Sequence, residues 1–186
     1  MAYVAVLDAD VLHPQISVDI LLRLAERRLF RPAWSEEILS EVRESLVRRG
    51  IDRVRVDRRI QMMRDAFPEA MTDQVDRFLS VVPDEVDGGD RHVAAAALAA
   101  RADAIVTRNI SDFAPDELFA LGIEVQSLDA FLLNQWTLDA EVVLDVLGEM
   151  ERDRLRSPRT VPELLAALDP LAPGFAASVR ANFGTT

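Results

Sequence analysis

The stretch that most constrains this chain is Tyr3-Val4-Ala5-Val6-Leu7-Asp8-Ala9-Asp10 near its start. A continuous apolar run rich in Val is a strand buried on both faces. Such strands belong to parallel sheets covered by helices, so the run predicts an α/β domain. It stops at an acid. In open α/β sheets, ligands gather just outside the carboxyl ends of the strands, and Asp8 falls at that point. Asp10, two residues on, either reaches the same crevice or turns away from it. A carboxylate that ends a buried strand is costly unless it is paired or bound to a metal.

The rest of the chain alternates in the same sense. Ser17 is placed to cap a helix running through Leu29, with Ile20, Leu21, Leu24 and Ala25 on one face. Phe30–Trp34 is a short extended segment, kept off a central strand by Pro32. Ser35 caps the next helix, with Glu36 and Glu37 in its first turn. Ile38, Leu39, Val42 and Leu46 form its buried face, and Glu41 lies at the margin of that face. Gly50 interrupts, and helical pattern resumes over 54–66 and again over 72–78. Leu79-Ser80-Val81-Val82 is a second strand candidate. An acidic, Gly-rich loop follows, and Asp90 opens an Ala-rich helix through Arg101. Ala104–Thr107 is a third buried strand, 115–121 a short helix and Ile123–Val125 a fourth strand. The expected fold is a three-layer α/β/α domain around a parallel sheet of four to five strands. From about Asn134 the character changes to short helices over 139–149, 161–168 and 174–182. Pro158, Pro162, Pro170 and Pro173 mark their joints, so residues 134–186 form a helical C-terminal extension to a domain of residues 1–133.

Composition narrows the chemistry. There are no cysteines, which excludes disulfides, zinc–thiolate sites and thiol catalysis. No apolar run approaches the ~20 residues of a membrane span and no secretion signal is present, so a soluble cytoplasmic protein is expected. The net charge of −11 opposes binding to phosphate, but its distribution is uneven. Between Arg43 and Arg64 stand eight arginines against three acids, Glu44, Asp52 and Asp57. Arg48, Arg49, Arg58 and Arg59 are the candidate RNA contacts of this stripe. A solvated pair of helix faces is the plainer alternative.

Four acids sit at strand ends or on helices able to face them: Asp8, Glu41, Asp90 and Asp112. Taken one at a time, Asp90 is explained as a helix cap, Asp112 as a turn residue and Glu41 as surface. Carboxylates that converge repel one another, and either some protonate or a cation resolves the repulsion. With only His13 and His92 and no thiol, the donors are oxygen, which suits Mg²⁺ or Mn²⁺. A water on such a metal can be aimed at phosphorus, so phosphodiester hydrolysis fits. His92 reads as a solvated helix residue, with an auxiliary phosphate contact as the alternative.

These residues carry a resemblance. Val6-Leu7-Asp8-Ala9-Asp10-Val11-Leu12, Ser35 with Ile38-Leu39-Ser40-Glu41-Val42, Gly89-Asp90-Arg91-His92-Val93 and Ile105-Val106-Thr107-Arg108-Asn109-Ile110-Ser111-Asp112-Phe113 stand in order. Together they resemble the motifs of PIN-domain ribonucleases, in particular the VapC-like toxins of bacterial toxin–antitoxin pairs, over roughly residues 3–133. The resemblance implies a PIN-like, Rossmann-like fold and a metal-dependent endoribonuclease. It implies that Asp8, Glu41, Asp90 and Asp112 are the catalytic acidic quartet holding one or two Mg²⁺ or Mn²⁺ ions, with Thr107 and Asn109 in support. It also implies an RNA substrate, an antitoxin that inserts a basic side chain into the site, and homodimers. Two departures stand out. Asp10 occupies a position where the common motif has Asn, and Asn109 one where it has Asp, the acid following three residues later as Asp112.

Two other classes compete. A phosphatase of the haloacid-dehalogenase class also opens on a strand running into Asp-x-Asp, which Asp8 and Asp10 satisfy. That class usually needs a Lys, and all 21 cationic residues of this chain are Arg. The second rival is a non-catalytic PIN-like module that binds RNA or protein through the basic stripe. Acids at all four motif positions speak against it.

Overall fold

A computed structural model describes residues 3–153 and 160–183. The described chain forms two compact units. The first comprises Met1–His13 with Phe30–Gln126, and the second Pro14–Leu29 with Ser127–Thr186.

The first unit is built on a four-stranded sheet in the order β2-β1-β3-β4, with β1 Val4–Leu7, β2 Arg31–Ala33, β3 Ala104–Thr107 and β4 Glu124–Ser127. The last residue of β4 belongs to the second unit. β1 pairs in parallel with β2, Ala5 opposite Pro32, and with β3, Val6 opposite Ile105. Ala5, Val6 and Leu7 are fully buried, as is all of β3, the polar Thr107 included. The double burial read from the Val-rich runs is therefore observed. Pro32 sits in the edge strand, where its missing N–H leaves no gap in the sheet.

Around the sheet stand α1 Ala9–Leu12, α3 Glu36–Arg48, α4 Arg53–Ala66, α5 Arg91–Ala100 and α6 Pro115–Ala120. α3 starts where Ser35 Oγ accepts the Ile38 N–H at 3.2 Å, and it buries Ile38, Leu39, Val42 and Leu46. Gly50 ends the α3 turn at a φ of 85°, a conformation that costs glycine little. Asp52 Oδ1 caps α4 through Arg55 N–H. Trp34, fully buried, meets Phe67 edge-on with centroids 6.1 Å apart. Its N–H and carbonyl bond to Ala70 and Thr72.

Two expected elements differ. The run Leu79–Val82 is a turn and not a strand, with Val82 the one buried residue of the four. Its carbonyls find another donor: Arg91 bonds to those of Leu79 (3.1 Å) and Val82 (2.9 Å), and also to that of Pro83 (2.8 Å). The helix expected over 72–78 shrinks to a 3₁₀ turn, Val75–Phe78, because Gln74 takes a left-handed conformation with φ 60°.

The second unit is helical: α2 Gln15–Glu26, α7 Leu128–Leu138, α8 Ala140–Arg152, α9 Val161–Leu168 and α10 Pro173–Phe183. α7, which a division at 133/134 would cut, lies whole in this unit. α2 begins two residues before the Ser17 cap expected from sequence. Ser17 lies inside the first turn and its hydroxyl donates back to the Pro14 carbonyl at 3.0 Å. α2 packs on α8 and α9, and α10 on α7 and α9. Val143, Val146, Leu147 and Met150 give α8 its buried stripe. Arg23 bridges Asp19 (2.9 Å) and Asp153 (2.8 Å), and Arg27 pairs with Glu149. Pro158 lies outside the described residues. Among the described residues no helix is long and apolar enough to cross a membrane.

Candidate active site

Asp8 follows β1 directly. Its N–H extends the ladder to the Val106 carbonyl at 3.1 Å, which aligns it with Thr107 at the end of β3. Both residues are buried. The Thr107 hydroxyl donates to Asp8 Oδ2 at 2.7 Å and stands 3.3 Å from Asp10 Oδ2. It accepts the Asn109 N–H at 3.1 Å. Asp10 Oδ2 also accepts the Arg108 N–H at 2.9 Å, while Oδ1 is buried without a partner. Asp10 thus turns into the crevice. Asn109 reaches Thr107 through its main-chain N–H alone, and its side chain is exposed and makes no hydrogen bond among the described residues.

Asp90 precedes α5, yet its side chain makes no capping hydrogen bond, so the helix-cap explanation does not account for it. The loop before it is fastened at two points. Asp87 Oδ1 accepts the Gly89 N–H at 2.9 Å, and Asp87 N–H donates to the Asp112 carbonyl at 2.8 Å. Asp112 sits in the 3₁₀ turn Ile110–Phe113, where Ser111 Oγ bonds its carboxylate at 3.2 Å. The loops carrying Asp90 and Asp112 are therefore tied to each other.

Glu41 lies half-exposed on α3, at the margin of the buried face as expected. His92 is not the solvated residue that its position on a helix suggested. It is 7% exposed, and its Nε2 stands 3.3 Å from Glu41 Oε2. The sequence signal was its place two residues after Asp90, on the buried side of an Ala-rich helix.

The electrostatics follow from this crowding. Burial and then the Asp8 charge push the Asp10 carboxyl up to about 7. Burial, then the charges of Asp8, Asp112 and Asp87, push Asp90 up to about 6. Burial raises Asp8 as well, against the Thr107 hydrogen bond, and Glu41 adds to the rise. Burial draws His92 downward, but Glu41 and Glu37 hold it above its ordinary value on balance. Asp8, Glu41, Asp90 and Asp112 thus come from four separate segments to one region. Among the described residues, no three acidic or imidazole groups stand close enough to hold a metal ion as they are. The donors nevertheless suit a hard divalent cation: they are carboxylate oxygens, those of Asp8, Asp10 and Asp90 partly desolvated and crowded by like charge, and Asp10 Oδ1 is buried with no partner among the described residues.

The basic stripe divides. Arg48, Arg49 and Arg58 are exposed. Arg59 is half-buried and spends its guanidinium on the Leu12 carbonyl at the end of α1, so it braces the element that begins at Asp8. Arg43 and Arg64 pair with Asp57 and Glu36.

Comparison with known proteins bears on the family. The family model described as PIN domain matches residues 5–111, more than half of the chain. The chain belongs to the PIN-domain family. Residues 128–181 match a second model, the VapC50 C-terminal domain. A protein of Mycobacterium tuberculosis (strain ATCC 25618 / H37Rv) named "Putative ribonuclease VapC50" is 40% identical over 94 residues, 50% of this chain and 56% of that relative. The similarity thus spans little more than half the length of the relative. No solved structure matches the chain.

Proposed function

We propose that this PIN-domain protein is a metal-dependent endoribonuclease, the toxin of a bacterial toxin–antitoxin pair acting in the cytoplasm. One observation carries the reading. Asp90, free of any capping role, is held near the charges of Asp8 and Asp112, two residues brought from other segments, and of Asp87 in its own loop. Like charges crowded in this way are relieved either by protonation, which the raised Asp10 and Asp90 carboxyls favour, or by a cation, and a bound divalent ion would meet all of them at once.

Asp8, Asp90 and Asp112 would hold Mg²⁺ or Mn²⁺, with Glu41 as the fourth acid. The bound ion would supply an activated water and stabilise charge on the phosphate oxygens. The protein's own part is positional. Thr107 fixes Asp8 by a hydrogen bond. The Arg108 N–H fixes Asp10, and the Asp87–Asp112 bond holds the two loops in register. Arg48, Arg49 and Arg58 would bind RNA phosphates beside an otherwise acidic molecule. Residues 1–133 would carry the nuclease. The helical extension, residues 134–186, would serve RNA or antitoxin binding, and the working form would be a homodimer. The VapC50 name of the relative and of the second family model supports the toxin assignment.

The test is cleavage of a total-RNA pool by the purified protein in Mg²⁺ or Mn²⁺ against EDTA. Discrete, metal-dependent cuts are expected. Asp8→Asn should lower the rate by at least ~100-fold, since even partners behind a ligand cost about 10–100-fold. Its fold should be intact, because the change relieves carboxylate repulsion. Full activity in that variant would sink the metal-site assignment.

A further inference from the structure

His92 has no part in the acidic quartet, yet it pairs with one of its members. It lies on α5, two residues after Asp90, and reaches across to α3, where Nε2 comes within 3.3 Å of Glu41 Oε2. The Glu41 side chain is 44% exposed while that of His92 is 8% exposed. An exposed Glu has three side-chain torsions and samples many rotamers, and holding it in one costs entropy. A buried imidazole on a packed helix has little freedom and offers a fixed partner. The charges of Asp8 and Asp90 also face His92. The ring therefore stands near three of the four acids and pairs with the half-exposed Glu41. No other side chain among the described residues pairs with the Glu41 carboxylate, and the 3.3 Å contact is a charge pair outside hydrogen-bond geometry.

We infer that His92 is a positioning residue, whose contact with Glu41 holds that carboxylate toward the metal site. The inference rests on the reading of Glu41 as a metal ligand. Partners that orient ligands from behind commonly govern metal affinity by about 10–100-fold, and sites loosen when that support is missing. What is required of His92 is a polar N–H group held within reach of Glu41 from a rigid place. Gln offers one at nearly the same reach, and Ala offers none.

The experiment is a titration of the full-length protein with Mn²⁺ alone, followed by calorimetry or by the spin-resonance signal of the free ion. It compares wild type, Asp8→Asn, His92→Ala, His92→Gln, Glu41→Gln and the double variant Glu41→Gln/His92→Ala. Circular dichroism checks that each is folded. His92→Ala should weaken Mn²⁺ binding by ~10-fold or more, and His92→Gln should recover most of the loss. In the Glu41→Gln background, His92→Ala should add nothing further, because the contact is already gone. Affinities of His92→Ala equal to wild type, or losses that simply add in the double variant, would overturn the inference while leaving the metal site standing. If wild type and Asp8→Asn both fail to bind Mn²⁺, the metal-site reading falls, and this inference with it. His92→Gln keeps the proposal testable should the alanine variant not fold.

Discussion

Asp10 shows what a single residue discloses about the site. One oxygen is bonded to the Arg108 N–H and the other is buried without a partner, so the carboxyl sits near 7 under burial and the Asp8 charge. Asp90 sits near 6 for the same reasons. Both values lie above the unfolded 3.8, so the folded, metal-free protein binds more protons than the unfolded chain between pH 4 and 7. The stability these groups contribute is full below the unfolded value and is lost as pH rises through 6 to 7. The raised His92 acts in the same direction. His13, lowered by burial and by the Arg49 charge, opposes it at the acid end. In EDTA the melting temperature should therefore rise as pH falls from 7.5 toward 5. Asp10→Asn should flatten that slope, which thermal scans across pH would read. An unchanged slope in the variant would mean that Asp10 titrates normally.

At the scale of elements, two anchors carry much of the arrangement. Arg91 bonds three carbonyls of the 79–83 segment from the first turn of α5, the helix that Asp90 opens. Arg91→Ala leaves these groups to water or to nothing, at a cost of roughly 1–3 kcal/mol, visible as a lower denaturant midpoint. In the second unit, Asp129 on α7 accepts the Gly174 and Phe175 N–H groups at the start of α10, at 3.2 and 2.8 Å. A Cβ on Gly174 would meet Asp129 Oδ2 at 2.8 Å and Leu133 Cδ1 at 3.1 Å. Gly174→Ala should cost about 1 kcal/mol, a fall of ~2–4 °C in Tm for a chain of this size. A variant as stable as wild type would show that the loop between α9 and α10 yields freely.

At the scale of the molecule, the charge of −11 and the exposed Arg48, Arg49 and Arg58 oppose each other. A phosphate chain is repelled by the whole and attracted by one corner. Replacing these three arginines by Ala should weaken RNA binding by the Asp8→Asn protein and flatten its dependence on salt, the slope falling by ~0.7 per lost contact on a single strand. The fold should be untouched, because none of the three is buried. An unchanged slope would make the corner a solvated face. Arg59→Ala should differ in kind and lower stability, because it releases the Leu12 carbonyl.

Much of this was legible in the chain. β1, β3 and the place of Asp8 followed from apolar runs that end at an acid, because burial on both faces leaves no room for alternation. Ser35 and Pro32 declared a cap and an edge by chemistry that is local. Contacts between distant residues were not legible. Leu79–Val82 has the composition of a strand, and it became a turn because Arg91, approaching from α5, satisfied its carbonyls. His92 has the composition of a surface helix residue, and the packing of α5 against α3 buried it beside Glu41. Local propensity and pattern act over a few residues and can be read from them. Which groups meet across the fold depends on where the helices come to rest, and only the tertiary structure decides that.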